Sequence, residues 1–286
     1  IYERFLGKVV SANAQRVKVE EKPEVRKAGG VYYTPKYIVD YIVENTVGKI
    51  IRNENTPFLS SPLVLGGDLI KTNKENTIRQ DTRQEHAGMT HMVGKTPSQI
   101  SKLRFADIAC GSGSFLIGVF ETLLDYHNNY YWLNQEEAKK DGCIFKDGVP
   151  FLSIKQKQNI LLNNIYGVDI DPQAVEVTQL SLALKMLEDE SLATANEMQV
   201  LFHEKILPDL SKNIICGNSL IGTDIIYEES SVGLFERKRR ITIEEERKLN
   251  PMDFEKRFPE IMRNGGFDAV VGNPPYGAEL NILEKK

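Results

Sequence analysis

The stretch Asn273-Pro274-Pro275-Tyr276 places an amide side chain, bare backbone carbonyls and a phenol ring within four residues. Two successive prolines fix two φ values and remove two N–H donors. Pro274 also pushes Asn273 towards an extended conformation. Such a corner offers hydrogen-bond acceptors and an aromatic face with little freedom, which suits gripping an amino group attached to a flat ring. A strand-ending proline turn with a packed tyrosine would use the same residues. The run Ala269-Val270-Val271 just ahead reads as a short strand covered on both faces.

Three further groups could hold a ligand beside that corner. Leu103 to Ile108 reads as a strand, followed by the turn Ala109-Cys110-Gly111-Ser112-Gly113-Ser114 and an apolar helix from Phe115 to about His127. Strand, glycine turn and helix open a nucleotide-binding α/β unit, with the glycines allowing close backbone approach. The dinucleotide fingerprint needs a third glycine where Leu116 stands, so a diphosphate fits less well than a ligand with an ammonium. Asp107, at the strand end, is placed to hold that cation. Asn164 to Asp169 reads as a second strand, and the Asp169 carboxylate can take both hydroxyls of a ribose. It lies further on than the ~20 residues of a compact unit, an excess explained by an insertion over Tyr130–Phe151. Asp169 would equally serve as a cap ahead of Pro172, where a strongly apolar helix runs to Leu187. Lys212 to Ser219 reads as a third strand, whose exit places Asn218 either against a purine edge or in a turn.

The elements that position these groups begin at Thr34-Pro35, where threonine suits an N-cap and proline the first helical position. Ile38, Ile42 and Ile50, with Val39, Val43 and Val47, form a stripe predicting a helix from about 35 to 52. The start of that helix favours a carboxylate. Residues 1–30 read as a linker or helical arm, with Lys18 to Lys27 facing solvent. Residues 53–100 read as a polar mobile loop, in which Thr96-Pro97-Ser98-Gln99 caps one or two turns. His86 and His91 in this loop are read as solvated, and no metal site is expected. The basic run 236–240 is followed by Glu244, Glu245 and Glu246 and reads as a solvated face.

Composition sets outer bounds. The 286 residues are 41% hydrophobic and 27% charged, with a formal net charge of −4, as in ordinary globular chains. No run is long enough for a bilayer and no signal peptide opens the chain, so no membrane role and a cytoplasmic location are expected. Three widely spaced cysteines favour a reducing compartment over a disulfide framework. The mild acidity argues against a broadly basic surface without excluding a local nucleic-acid groove. Ile1 in place of a methionine, and an end soon after Tyr276, suggest a piece of a longer chain.

Together the pieces resemble a known family. Tyr32-Tyr33-Thr34-Pro35, Asp107 to Leu116, Gly167-Val168-Asp169-Ile170-Asp171, Gly217-Asn218-Ser219-Leu220 and Asn273-Pro274-Pro275-Tyr276 occur in the order seen in γ-class adenine-N6 DNA methyltransferases of restriction–modification systems. Phe258-Pro259-Glu260 and Gly265-Gly266-Phe267-Asp268 are similar to the Type IIG, single-chain branch. The resemblance covers about residue 29 to the end. Ile108 stands where the family usually has proline, and Asn218 where it often has aspartate.

The resemblance implies a Rossmann-like, S-adenosylmethionine-dependent methyltransferase core over residues 31–286, truncated after the strand that carries the corner. It implies that Tyr33, Thr34 and Asp107 hold the methionine end of S-adenosylmethionine. Ala109, Cys110, Gly111, Ser112 and Gly113 wrap the cofactor with backbone. Asp169 takes the ribose, Ile170 covers the adenine, and Asn218 with Ser219 reads its edge. Asn273, Pro274, Pro275 and Tyr276 meet an adenine flipped from double-stranded DNA. Target-recognition parts, with or without a nuclease, are expected elsewhere in the same longer chain, so this piece alone is expected to methylate little. Transfer to an RNA guanine or a protein glutamine, or a non-catalytic binding module, are the other readings of the fold.

Overall fold

The central strand is β3, Phe105–Asp107, all three residues of which are buried. It was identified in a computed structural model that describes residues 8–13, 16–21, 34–52, 94–188, 207–227 and 239–274. Before it come two strands, β1 (Lys8–Asn13) and β2 (Arg16–Glu21), paired antiparallel with Lys8 opposite Glu21. This hairpin corrects the expected linker or helical arm. The Val-Lys-Val-Glu alternation from Val17 is strand periodicity, not merely solvated charge.

The first helix, α1, spans Lys36–Val43 and continues through a π turn, Glu44–Gly48, to Ile51. Its apolar stripe buries Val39, Val43, Val47 and Ile51. The end of the expected loop is ordered: Gly94 bridges Arg52, and Thr96 forms a capping box with Gln99 on α2, Pro97–Ile100.

Beyond β3, helix α3 runs Ser114–Leu133 and α4 Gln135–Lys140. A hairpin of β4 (Ile144–Lys146) and β5 (Val149–Phe151) closes this segment. The insertion expected from Tyr130 therefore starts later, because Tyr130 and Tyr131 extend the buried stripe of α3. Helix α5 (Ile154–Asn164) starts at a Ser153–Gln156 capping box and leads into β6, Ile165–Asp169. Helix α6 (Pro172–Leu187) is capped by Asp171, whose carboxylate accepts the Gln173 N–H. Strand β7 (Ile214–Cys216), α7 (Ile243–Leu249), α8 (Phe254–Arg257), α9 (Pro259–Arg263) and β8 (Ala269–Val270) complete the described chain.

The four main strands form one parallel sheet in the order β7-β6-β3-β8. Alternation sends side chains to opposite faces. Phe105, Ile165 and Ile214 join the larger apolar core with Leu116, Val119, Phe120 and Leu123 of α3. Tyr166, Val168 and Ile215 face a second core with Met252, Phe258 and Ile261. Helices on both faces of a parallel sheet make the expected Rossmann-like α/β fold. On the face of the larger core, Glu121 of α3 links two neighbouring helices, bonded to Lys36 of α1 at 2.7 Å and Lys185 of α6 at 2.6 Å.

One expectation about the sheet fails. Strand β8 is not covered on both faces: Val271 is buried, but Val270 is 53% exposed. It pairs with β3 at the end of the sheet, where a strand has one neighbour. Among the described residues, no helix is long and apolar enough to cross a membrane.

Candidate active site

Strand order explains why distant residues converge. The chain lays β3 first, adds β6 and β7 on one side, then returns to place β8 on the other. Open α/β sheets bind ligands beyond the carboxyl ends of their strands, where the order reverses. Here that switch point lies between β3 and β8. Asp107 and Asp169 are the last residues of their strands, and the Gly272-Asn273-Pro274 corner follows β8.

Asp107 is 2% exposed, and its Oδ1 accepts the Ala109 N–H at 3.0 Å. Burial pushes its pKa up to about 7, with the Asp169 charge adding and the Ala109 N–H opposing. On its other side it meets the β8 exit. A Cβ on Gly272 would lie 2.6 Å from Asp107 Oδ1, so only glycine admits this approach. The Val271 N–H donates to the Ala106 carbonyl at 2.8 Å and fixes that register.

The glycine turn is held from three directions. The Cys110 N–H donates to the Val168 carbonyl at 3.0 Å, and the Gly113 N–H to the Cys110 carbonyl at 2.8 Å. Thr178 of α6 donates its hydroxyl to the Gly111 carbonyl at 2.7 Å. Gly111 and Gly113 have φ of 52° and 87°, the left-handed region. Space differs sharply between them: a Cβ on Gly113 would lie 2.8 Å from Thr178 Cγ2, whereas one on Gly111 would meet nothing within 4 Å. Ser112 and Ser114 place their hydroxyls 3.4 Å apart at the start of α3.

Asp169 joins this turn to β6. Its Oδ2 accepts the Gly111 N–H at 2.8 Å, and its Oδ1 the Asp171 N–H at 2.9 Å. Burial raises its pKa, opposed by those two N–H groups. The Ile170 N–H adds a third bond, and a carboxylate has about four acceptor sites, so capacity for a ligand hydroxyl remains. Next to it Ile170 is 51% exposed, an apolar surface at the strand end.

Asn218 is buried, and its Oδ1 accepts the Leu220 N–H at 3.0 Å while its own N–H donates to the Asn250 carbonyl. Of the two sequence readings, the turn geometry accounts for this oxygen. Ser219 is half-buried beside it.

Thr34 does not cap α1. The cap position is Pro35, with no side-chain cap bond, and the Pro35 carbonyl accepts from Ile38 and Val39. Instead the Thr34 hydroxyl oxygen accepts from Asn273 Nδ2 at 3.2 Å. Asn273 and Pro274 are exposed. Tyr33, Pro275, Tyr276, His86 and His91 lie outside the described residues, as do residues 53–93 of the expected loop and 236–238 of the basic run. In that run, Arg239 pairs with Glu246.

Two contributors escaped the sequence reading. Gly272 was visible only as the residue before Asn273. Thr178 left a usable signal, since a hydroxyl falls on the buried stripe with Ala174, Val175 and Leu182.

The chain is also similar to known proteins. Residues 163–286 match the model of the Eco57I restriction-modification methylase family. RM.Eco57I of Escherichia coli, a Type II restriction enzyme and methyltransferase, is 33% identical over 298 residues, covering 100% of this chain and 22% of its own length. RM.MjaORFECS2P of Methanocaldococcus jannaschii, a putative type II restriction enzyme and methyltransferase, is 24% identical, covering 91% of this chain and 29% of its own length. The adenine-specific methyltransferase BrxX of Escherichia coli O9:H4 is 27% identical over 66% of this chain and 12% of its own length. The chain thus spans less than a third of these relatives. Through residues 163–286 it belongs to the Eco57I restriction-modification methylase family.

Proposed function

We propose that this chain is the methyl-transferring part of a restriction–modification protein, moving a methyl group from S-adenosylmethionine to adenine N6 in duplex DNA. The observation that carries the reading is the row of strand ends, with Asp169, Asp107 and Asn273 on three adjacent parallel strands. Parallel strands lie ~4.8 Å apart, so the row is short enough for one extended ligand beside a base.

The residues present fit that cofactor. Gly111 leaves a space that a side chain would fill, next to the carboxylate of Asp169. Asp169 would take the ribose hydroxyls, Ile170 the adenine face, Asn218 and Ser219 the adenine edge. Asp107, together with Tyr33 and Thr34, would hold the amino-acid end. A cation beside Asp107 offsets the burial that now raises its pKa. When bound, S-adenosylmethionine supplies an electrophilic methyl group.

The corner residues then act on the base. An adenine amino group is a poor nucleophile because its lone pair is delocalised into the ring. Asn273 Oδ1 and the Pro274 carbonyl would accept its two N–H bonds, freeing the lone pair for attack. Positive charge develops on that nitrogen, and acceptors fixed in advance stabilise it electrostatically. The nitrogen then loses a proton readily, so no strong base is needed. Flipping the target costs a few kcal/mol, and stacking on Tyr276 would return about 1–3 kcal/mol. The names of two relatives pair a restriction enzyme with a methyltransferase, which supports a nuclease in the same polypeptide; target-recognition parts would accompany it.

The test uses the full-length protein with isotope-labelled cofactor and, in parallel, duplex DNA, RNA and protein acceptors. Label recovered as N6-methyladenine from DNA is the expected result. Label in guanine or glutamine, or cofactor binding without transfer, would refute the reading.

A further inference from the structure

The hydrogen bond between Thr34 and Asn273 joins residues at opposite ends of the described chain. Asn273 is exposed, so packing alone does not fix which end of its amide faces the substrate. The two ends are chemically opposite. Nδ2 only donates and Oδ1 only accepts, and an amino group meeting Nδ2 would set donor against donor.

We propose that Thr34 is a positioning residue for Asn273, its hydroxyl oxygen holding Nδ2 so that Oδ1 remains the acceptor presented to the amino group. This rests on the methyltransferase reading above. Several observations favour it over an incidental contact. Thr34 has not been recruited to cap its helix, the task its type and place would suggest, because Pro35 occupies the cap position. Its oxygen accepts from Asn273, so its one proton is left for a different acceptor. The anchor is firm, since α1 is held to α3 and thereby to α6 by the Lys36–Glu121–Lys185 bridge. On the other side, the Val271 N–H and the Gly272–Asp107 contact fix the strand end from which Asn273 projects. The amide rotation is left undetermined by backbone, and a Thr34 hydroxyl that gives its proton to another acceptor would hold Nδ2 in preference to Oδ1.

The experiment compares wild type, Thr34→Val and Thr34→Ser in the full-length protein, using plasmid DNA that the wild type methylates. Methylation by the wild type is required first, and its absence would count against the methyltransferase reading itself. Single-turnover transfer is measured at saturating cofactor and DNA, so that weaker cofactor binding does not enter. A net hydrogen bond is worth about 0.5–1.5 kcal/mol, so Thr34→Val should slow transfer roughly 2- to 13-fold. Thr34→Ser keeps the oxygen and should stay within about twofold of wild type, which is near the lower edge of that range. A second readout is equilibrium affinity for the same DNA with S-adenosylhomocysteine present. Thr34→Val should weaken it in the Asn273 protein but leave it unchanged in an Asn273→Ala background, because coupled residues are non-additive. Full-speed transfer by Thr34→Val, a Ser variant as slow as Val, or equal effects of Thr34→Val in both backgrounds would each overturn the proposal.

Discussion

Gly111 and Gly113 stand two positions apart in one turn, both with positive φ, yet replacing each by alanine should do different things. At Gly113 three costs combine. Alanine at a φ of 87° loses about 1–2 kcal/mol to left-handed strain. Its Cβ would press to 2.8 Å from Thr178 Cγ2, and Thr178 is fully buried with no room to retreat. Moving Thr178 breaks its bond to the Gly111 carbonyl, and a polar group left unpaired inside costs about 1–3 kcal/mol. Gly113→Ala should therefore destabilise the fold by about 2–5 kcal/mol. At Gly111 the strain is similar, but the new methyl meets nothing within 4 Å, so the loss should stay at about 1–2 kcal/mol. Alanine also restricts the unfolded chain by about 0.4–1 kcal/mol, an offset common to both variants.

Ligand binding should reverse the order of harm. The Gly111 methyl would occupy the space beside Asp169, where the cofactor is proposed to lie. Overpacking of about 1–3 kcal/mol corresponds to a roughly 5- to 150-fold loss of affinity. Urea unfolding measures the first effect and titration calorimetry with S-adenosylmethionine the second. If Gly111→Ala proved the less stable variant, the packing argument would fail. If it bound cofactor as tightly as wild type, the turn would not be the cradle.

The other predictions concern the three strand ends. Asp107, with a folded pKa of about 7 against an ordinary 3.8, keeps a proton that the unfolded chain releases between those values. That proton favours the folded state fully below about pH 4 and is lost as pH rises through about 7, a fall of order 4 kcal/mol that Asp107→Asn should flatten in pH-dependent denaturation. A cofactor ammonium beside Asp107 should expel that proton, seen as buffer-dependent binding enthalpy near about pH 6.5, and no buffer dependence would contradict the pairing. Asp169→Ala should lower cofactor affinity at least about tenfold, since hydrogen bonds to a charged group are worth about 1.5–3 kcal/mol each, and unchanged affinity would sink the ribose assignment. Asn273→Ala should abolish transfer while sparing cofactor binding, whereas Tyr276→Ala should mainly weaken capture of the flipped base. Single-turnover methylation beside DNA affinity separates the two, and near-normal turnover by Asn273→Ala would contradict the mechanism.

What was legible in the sequence was local. Helix α6 begins where expected because Asp171 with Pro172 is a capping pattern complete within two residues. Asp107 and Asp169 stand out in the sequence because each follows an apolar run and borders a turn or a proline. The end of α3 was misplaced because Asn128 and Asn129 resemble a break, although Tyr130 continues the buried stripe four residues after Tyr126. The hairpin of β1 and β2 was hidden because its alternating charges suit a strand and a solvated linker equally. Thr34 could not have been read correctly at all. Its neighbour Pro35 makes a capped helix the best local solution, and only Asn273, brought beside it by the tertiary fold, decides otherwise.

That contrast follows from how the sheet is wound. Strand β3 comes first of its four in sequence yet lies inside the sheet, because β8 returns to its free side after β6 and β7 are in place. A crevice at the β3–β8 junction therefore exists whatever lies in the connections. Lengthening a connection costs little, about 0.6 kcal/mol for each doubling of a flexible loop, so α4 and the β4–β5 hairpin enter between α3 and α5 without moving a strand end. The groups proposed for the cofactor sit on one side of Asp107, and the corner proposed for the base sits on the other. Asp107 lies between them: the Asp169 charge acts on it from one side, and on the other Gly272 comes so near that an added Cβ would lie 2.6 Å from its Oδ1. That position between the two proposed subsites is the one from which a single buried carboxylate can border both.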